Sequence, residues 1–552
     1  MPSAFVVYCF VIILHLVPLW AYENFATQDG PSHLHNSAVM LDLSTVESPL
    51  FKQYYEMKFT FAGNLLSQLA LMSLLSVFSP SLADKIFLSL YVVLFCLGFW
   101  YAVSSVRRES KWIAFLIFPF VYSSWLHLGF YNFLLGMAAF FFVTGYFIRH
   151  QENVGVKPAG VLAFSFVVLF FTHLTAFCSA LIMVVGLTMA SVLVQTRNQR
   201  SVKAKTLLWL LIAVVPGALL LRLFLGNHIL YTLPVDLHFS LWTIHSIAPL
   251  ASSSELEYRF GDLMAALVGG LAIAALYFMW KHGKVRRLDG TLAAAAGFFL
   301  LVIVGPEAAS TGGLIRLRMV LYFYLALILW ISAQSIPKAI AKSAALVAVG
   351  ISVLFFVSRA PVYAELNRQI EEYLSAGSYI ESNTTILGLS YASHGYDPNP
   401  QRWPAYVYLP FEHISGLLAA DKPVVDLSNY ESALSTFWTR YRPEVNPFRF
   451  VDKVTKSDSR ASAANLYGYP PDSGGRIDYV LLWGLDENRQ RVNPPSPLRD
   501  QLRDAYDLIY VSPDRHLVQL YRRKDFERAV AVRKENPERQ SNGQATQPIS
   551  WK

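Results

Sequence analysis

The segment Gln28-Asp29-Gly30-Pro31-Ser32-His33-Leu34-His35-Asn36 places one acid and two histidines where a first apolar stretch meets water. A carboxylate at the surface of a many-helix membrane protein is costly to place, which makes it a candidate for function. Asp29 is a candidate general base, able to accept a proton from an acceptor hydroxyl held against it. Asp-Gly-Pro is equally a good turn, and Asp29 can instead cap a helix over 32–41. His33 and His35 stand two residues apart and point to different faces of a helix, so they would not chelate one metal together. Asp29 with His33 is the better-placed pair. No metal site is assigned; a divalent cation stays open, though hard cations want more carboxylates than are gathered here. Glu47 and Glu56 are spare acids in the same loop and read equally well as solvated charges.

Further candidates lie at the ends of later apolar stretches. His173, in Phe170-Phe171-Thr172-His173-Leu174, either lines the same pocket as Asp29 or is a core histidine held by a backbone carbonyl. His127, Tyr131 and Asn132 read the same way. Arg316 and Arg318 flank Leu317 just after Gly312-Gly313. Arginine at such a depth pairs bidentately with phosphate, and otherwise anchors a lipid headgroup. Arg316 is favoured for the phosphate because it follows the flexible glycine pair, with Glu307 as an alternative structural partner. The candidate substrate-binding residues are thus His33, His35, His173, Arg316 and Arg318. The loop 225–260 adds His228, Asp236, His238 and His245, polar groups of a kind that contact sugars, as any exposed loop offers; Asp262 reads as a cap.

The elements that must hold these residues are mostly apolar. Of the 552 residues 54% are hydrophobic and 15% charged, against nearer 25% charged in soluble domains. Apolar residues concentrate in 1–358, a transmembrane domain, while 360–530 read as a soluble extracytoplasmic domain and 531–552 as a disordered polar tail. The net charge of +8 is a topology signal from basic loops and implies no nucleic acid. Cys9, Cys96 and Cys178 each fall inside an apolar stretch, so no disulfide framework is expected.

Eleven membrane spans are expected: 4–21, 83–106, 112–126, 130–148, 159–174, 176–195, 206–224, 261–280, 290–305, 317–335 and 340–358. No basic residue precedes the first, and no clear cleavage site follows it, so it reads as an uncleaved helix. The segment 59–78 is apolar but carries Asn64, Ser67 and Gln68. Reading it as a helix lying on the outer surface puts fifteen basic residues inside: Arg107/Arg108/Lys111, Arg149/Lys157, Arg197/Arg200/Lys203/Lys205, Lys281/Lys284/Arg286/Arg287 and Lys338/Lys342. All the candidate site residues then share the outer face with the C-terminal domain.

The C-terminal domain reads as α/β. Strands are expected at Thr384–Tyr391, Pro423–Leu427 and Tyr479–Trp483 and a hairpin at Leu508–Ser512 and Leu517–Tyr521 around Pro513-Asp514-Arg515, with a helix over Pro497–Ala505. Residues 394–404 and 468–475 read as loops. No internal repeat, Walker loop, nucleotide-binding glycine pattern or Cys-x-x-Cys is present in the sequence.

This arrangement resembles the C-type (GT-C) superfamily of polyprenyl-phosphate-dependent membrane glycosyltransferases. The likeness rests on Asp29 in the first outer loop, the interfacial segment 59–78 before the second crossing, Tyr101–Arg108 ending that crossing inside, and Gly312–Arg318 before a soluble outer domain. It covers 1–358. It implies that Asp29 activates the acceptor and that Arg316 or Arg318 holds the phosphate of a polyprenyl-phosphate sugar. It further implies transfer at the outer face, with inversion, in a bacterial inner (cytoplasmic) membrane; the acceptor (glycan, lipid or protein) is unknown. Asp29 is followed by Gly30 where many relatives carry a pair of acids. No Trp-Trp-Asp motif occurs, Trp403 and Trp438 lying in other contexts, which argues against oligosaccharide transfer to asparagine. The alternatives are a transporter or lipid flippase, for which inverted repeats and midplane charges are missing, and a non-catalytic envelope assembly protein.

Overall fold

The computed structural model describes all residues except 1–2, 47, 62, 195–199, 227–229, 283–285, 310–311, 400–401, 452–463, 486–495 and 527–552. Glu47, His228 and the tail 531–552 therefore lie outside the described residues. In chain order the helices that matter are α1 (Ala4–Trp20), α2 (Gly30–Thr45), α3 (Leu66–Leu75), α4 (Pro80–Val106), α5 (Tyr131–His150), α6 (Val156–Thr172) and α7 (Leu174–Val194). They continue as α8 (Arg200–Gly226), α9 (Leu237–His245), α10 (Glu257–His282), α11 (Gly290–Val304), α12 (Ile315–Ala333) and α13 (Lys338–Leu374). Among the described residues eight helices are long and apolar enough to cross a membrane, and α1 and α6 are shorter apolar helices. Ten of the eleven expected spans are thus helices.

The stretch 112–126 differs. It forms a 3-10 segment, Arg108–Ile117, followed by two single-turn helices, Phe118–Val121 and Ser124–His127. Its residues from Ile113 to Leu126 are almost wholly enclosed, and irregular backbone at membrane depth is tolerated where protein covers it. The segment 59–78 also differs from a single helix. Among its described residues only α3 is helical. Before α3 the chain turns at Asn64, with φ of 69°, and the N–H groups of Asn64 and Leu65 donate to the carbonyls of Thr172 and Phe171 at 3.2 and 3.1 Å.

Basic residues at one end of the bundle tie its elements together. Arg107 Nη1 donates to Ser335 at 3.0 Å, Arg149 Nε to Ser105 at 2.8 Å, and Arg287 pairs with Glu152. At the other end α13 runs on for 37 residues, about 55 Å at 1.5 Å per residue. That exceeds the ~30 Å hydrocarbon core, so one continuous helix joins the membrane part to the C-terminal domain.

That domain holds a five-stranded mixed sheet. Its strands are β2 (Thr384–Ser390), β3 (Val424–Asp426), β5 (Tyr479–Trp483), β6 (Tyr506–Val511) and β7 (Val518–Arg523), after β1 (Tyr55–Met57) and with β4 (Thr439–Tyr441) outside the sheet. The order is β3-β2-β5-β7-β6, parallel across β3, β2 and β5 and antiparallel beyond. The helix α14 (Ser415–Asp421) lies between β2 and β3, and α15 (Ser496–Ala505) precedes β6. These match the expected strands, hairpin and helix to within a few residues. The two parts of the chain are also stitched by β1 and β4, which pair antiparallel with Tyr55 opposite Tyr441.

Candidate functional site

The chain leaving α1 is pinned before α2 begins. Gln28 and Asp29 donate their backbone N–H groups to the carbonyls of His127 and Leu128 at 2.9 and 3.2 Å. This close approach needs Gly129, whose φ is +75° and whose added Cβ would stand 2.7 Å from the Gly30 nitrogen. Pro31 sits in the first turn of α2, where its missing N–H costs nothing. Asp29 occupies the N-cap position, yet its side chain makes no capping hydrogen bond. Instead Gln28 Nε2 donates to its Oδ1 at 3.4 Å, His413 Nε2 stands 3.9 Å away, and the Tyr430 hydroxyl bonds it. Burial pushes the Asp29 carboxyl up to about 7; the His33 charge opposes that rise and Glu431 adds to it.

His33, one turn into α2, pairs through Nδ1 with Glu431 at 2.6 Å and through Nε2 with the Gly129 carbonyl at 3.1 Å. His35 faces elsewhere. Its Nε2 meets the Tyr55 hydroxyl of β1 at 3.2 Å, and burial lowers its pKa to about 4.

Two cavities meet here. One, of about 340 Å³, is lined by Asp29, His33, Asn132, Glu412, His413 and Tyr430, among others. The second, of about 280 Å³, is walled by apolar side chains such as Leu174, Ile182, Leu221, Phe224, Leu301 and Met319. Asn64, His173, Gly312, Arg318 and Thr436 line both. Arg318 is buried beneath Phe130, Phe133 and Trp125, its guanidinium carbon 4.9, 5.2 and 5.4 Å from their ring centroids. Its Nε is buried without a hydrogen-bond partner, and among the described residues no carboxylate pairs with it. Its Nη1 lies 3.1 Å from His173 Nε2. His173 Nδ1 faces the Thr175 N–H at 3.1 Å. Arg318, with a buried donor unused, therefore stands at the shared wall, an arrangement satisfied by an anion that accepts from it.

No protein-family model and no curated protein matches this chain. Among solved structures, it is similar to the crystal structure of ArnT from Cupriavidus metallidurans bound to undecaprenyl phosphate. The TM-score is 0.38 and the identity 11%, over 94% of this chain and 97% of that one.

Of the six residues singled out from the sequence, Asp29, His33, His173 and Arg318 line the polar cavity, whereas His35 and Arg316 line neither. Arg316, favoured for phosphate, donates to the carbonyls of Gly305, Leu233 and Pro234 at 2.8, 2.6 and 3.3 Å, with Glu307 at 3.9 Å. It staples loops together. His127 is a satisfied core histidine, bonded to the Ser123 carbonyl and the Tyr363 hydroxyl, while Tyr131 and Asn132 do reach the polar cavity. Glu56 pairs with Lys58, Asp236 caps α9 through the Phe239 N–H, and Asp262 pairs with His245. Glu412, His413, Tyr430 and Glu431 come from the C-terminal domain and were not anticipated. Glu412, His413 and Tyr430 sit in irregular stretches and Glu431 opens a 3-10 turn, Glu431–Ala433, where an acid, a histidine or a tyrosine reads like any surface loop residue.

Proposed function

We propose that this chain is a membrane glycosyltransferase that moves a sugar from a polyprenyl-phosphate donor to an acceptor at the outer face of the membrane. The observation that carries the reading is Arg318 with His173, set where an apolar cavity adjoins a polar one. A polyprenyl-phosphate sugar has the same division: an apolar tail, an anionic phosphate and a polar sugar. Arg318, held beside His173, pairs with the phosphate, the first isoprene units fill the apolar cavity, and the sugar lies towards Asp29. The acceptor hydroxyl attacks the anomeric carbon as the bond from that carbon to the phosphate oxygen breaks. Its proton passes to Asp29, and polyprenyl phosphate leaves as an anion paired with Arg318. Attack opposite the leaving group inverts the anomeric centre. A base whose pKa lies near 7 is well matched to neutral pH. The outer-face assignment is supported by the basic residues Arg107, Arg149 and Arg287, which tie the bundle at the end carrying the basic loops.

The test is release of free polyprenyl phosphate by the purified chain in nanodiscs, over a panel of polyprenyl-phosphate sugars and with candidate acceptors. Asp29→Asn is expected to lower turnover by about 10²–10⁴-fold while the protein stays folded. The wild-type rate is expected to rise with pH as Asp29 loses its proton, with an acid limb near 7. Equal turnover by wild type and Asp29→Asn would remove Asp29 from the chemistry.

A further inference from the structure

We propose that Glu431, brought in by the C-terminal domain, is a positioning residue that holds His33 as a buried imidazolium and thereby keeps Asp29 ionised for its role. The proposal rests on the reading of Asp29 as the base. Its foundation is the pair of groups that stand against the two nitrogens of His33. The Gly129 carbonyl can only accept, so His33 Nε2 must donate to it at 3.1 Å. His33 Nδ1 lies 2.6 Å from Glu431 Oε1. With a carbonyl at one nitrogen and a carboxylate at the other, the ring carries both protons.

The other face of Glu431 is held by oriented donors. Asn429 Nδ2 and Ser432 Oγ both donate to Asn36 Oδ1 at 2.8 Å. That sets the Asn36 amide so its Nδ2 points at Glu431 Oε2, 2.5 Å away. Gln68 Nε2 of α3 adds a second donor at 3.3 Å. Asn429 is itself oriented, its Oδ1 accepting the Glu431 N–H at 3.2 Å. Glu431 is fully buried, and Asn36 and Gln68 both donate to its Oε2, which leaves Oε1 to face His33. A buried carboxylate held in this way stabilises a buried cation against its desolvation cost.

The charge so fixed bears on Asp29. His33 follows Asp29 by one helical turn, its N–H donating to the Asp29 carbonyl at 3.1 Å. The other groups that face Asp29 are Gln28, Glu412, His413 and Tyr430, with Arg318 and Tyr131 acting from farther across the cavity. Those facing His33 are Glu431, Asp29 and the Tyr131–Asp84 pair; the Tyr131 hydroxyl donates to Asp84 at 2.6 Å. Burial disfavours charge on His33, and Glu431 outweighs it, so its pKa stands above the ordinary value. Without Glu431 the ring would lose its proton; Asp29 would lose both the cation that lowers its pKa and the anion that raises it, and because His33 is the larger influence Asp29 would hold its proton to higher pH.

The experiment uses the full chain in nanodiscs with ¹⁵N-labelled histidine, the His33 ring signals being identified by their loss in His33→Gln. In wild type both ring nitrogens are expected to stay protonated from pH 6 to 8, and in Glu431→Gln one is expected to be bare at pH 7. A neutral His33 in wild type at pH 6, or an unchanged imidazolium in Glu431→Gln, would overturn the proposal. The wild-type titration stands alone should that variant not fold. In the turnover assay, the acid limb of Glu431→Gln is expected to move to higher pH, the lost His33 charge outweighing the lost Glu431 charge at Asp29, with the rate recovering at alkaline pH. A uniform loss at every pH would instead mark Glu431 as merely structural. Failure of the base assignment is separately visible, as undiminished turnover by Asp29→Asn.

Discussion

Two arginines two residues apart meet opposite fates. Arg316 gives its donors to the backbone carbonyls of three residues, and Arg318 stands beneath three aromatic rings with a donor unused. A guanidinium that recognises phosphate through a planar fork is not replaced by an ammonium. Arg318→Lys is therefore expected to raise KM for the polyprenyl-phosphate donor by about tenfold or more, matching the loss of one charge-assisted hydrogen bond. Arg316→Lys is expected to leave donor KM near wild type and to lower thermal stability. Donor-dependent initial rates and melting curves of the two variants check this, and the reverse pattern would return the phosphate to Arg316. The sequence made both arginines visible, as it did Asp29 and His33, because charged groups beside apolar stretches stand out. It could not separate them. Which of two near neighbours faces a cavity depends on where a helix begins, and Leu314, with φ of 60° just before α12, decides that through a backbone state that composition does not encode. Glu431 was illegible for another reason: its meaning comes from Asn36 and His33, almost 400 residues away.

Among the elements, the contact between α2 and α14 sets how the C-terminal domain meets the site. An added Cβ on Gly416 of α14 would lie 2.4 Å from the Pro31 carbonyl oxygen, and neither backbone can yield there without moving Asp29. Gly416→Ala is expected to cost about 1–3 kcal/mol through overpacking and to lower kcat. Gly350→Ala on α13, where nothing lies within 4 Å of the added carbon, is expected to be neutral or stabilising. Melting temperatures and turnover of the pair test whether space, and not glycine content, decides. Long elements of one type were readable: apolar runs gave ten of the eleven expected spans, and strand-length runs gave the sheet. The run 112–126 was not, since Pro119, Ser123 and Ser124 break an otherwise apolar stretch into short turns that only its enclosure by neighbouring helices sustains. The pairing of β1 with β4 joins short segments far apart in sequence, and no local pattern announces it.

At the scale of the whole molecule, a sequence boundary between 358 and 360 falls inside one unbroken helix, α13. The composition does change there, but the backbone does not, and the residue at the change is Arg359. Its side chain turns inward to Glu257 of α10, with Nη2 and Nε at 2.6 and 3.1 Å. Its remaining donors meet the carbonyls of Tyr122 and Leu250 at 2.6 and 2.5 Å. This buried pair thus joins α13, α10 and the irregular stretch 112–126 at the level where the membrane part meets the C-terminal domain. Such a pair adds little net stability over a well-packed apolar substitute, but removing one partner strands the other charge. Arg359→Met is accordingly expected to destabilise the protein by about 3–5 kcal/mol, and Glu257→Gln by less, because its amide still accepts from Arg359. The double variant Arg359→Met/Glu257→Gln is expected to recover much of the first loss, since no unpaired carboxylate is then buried. A double-mutant cycle from denaturant unfolding of the nanodisc-held protein measures the coupling. Strict additivity would mean that the two residues are held by their other partners, and that α13 links the two parts of the molecule by its continuity alone.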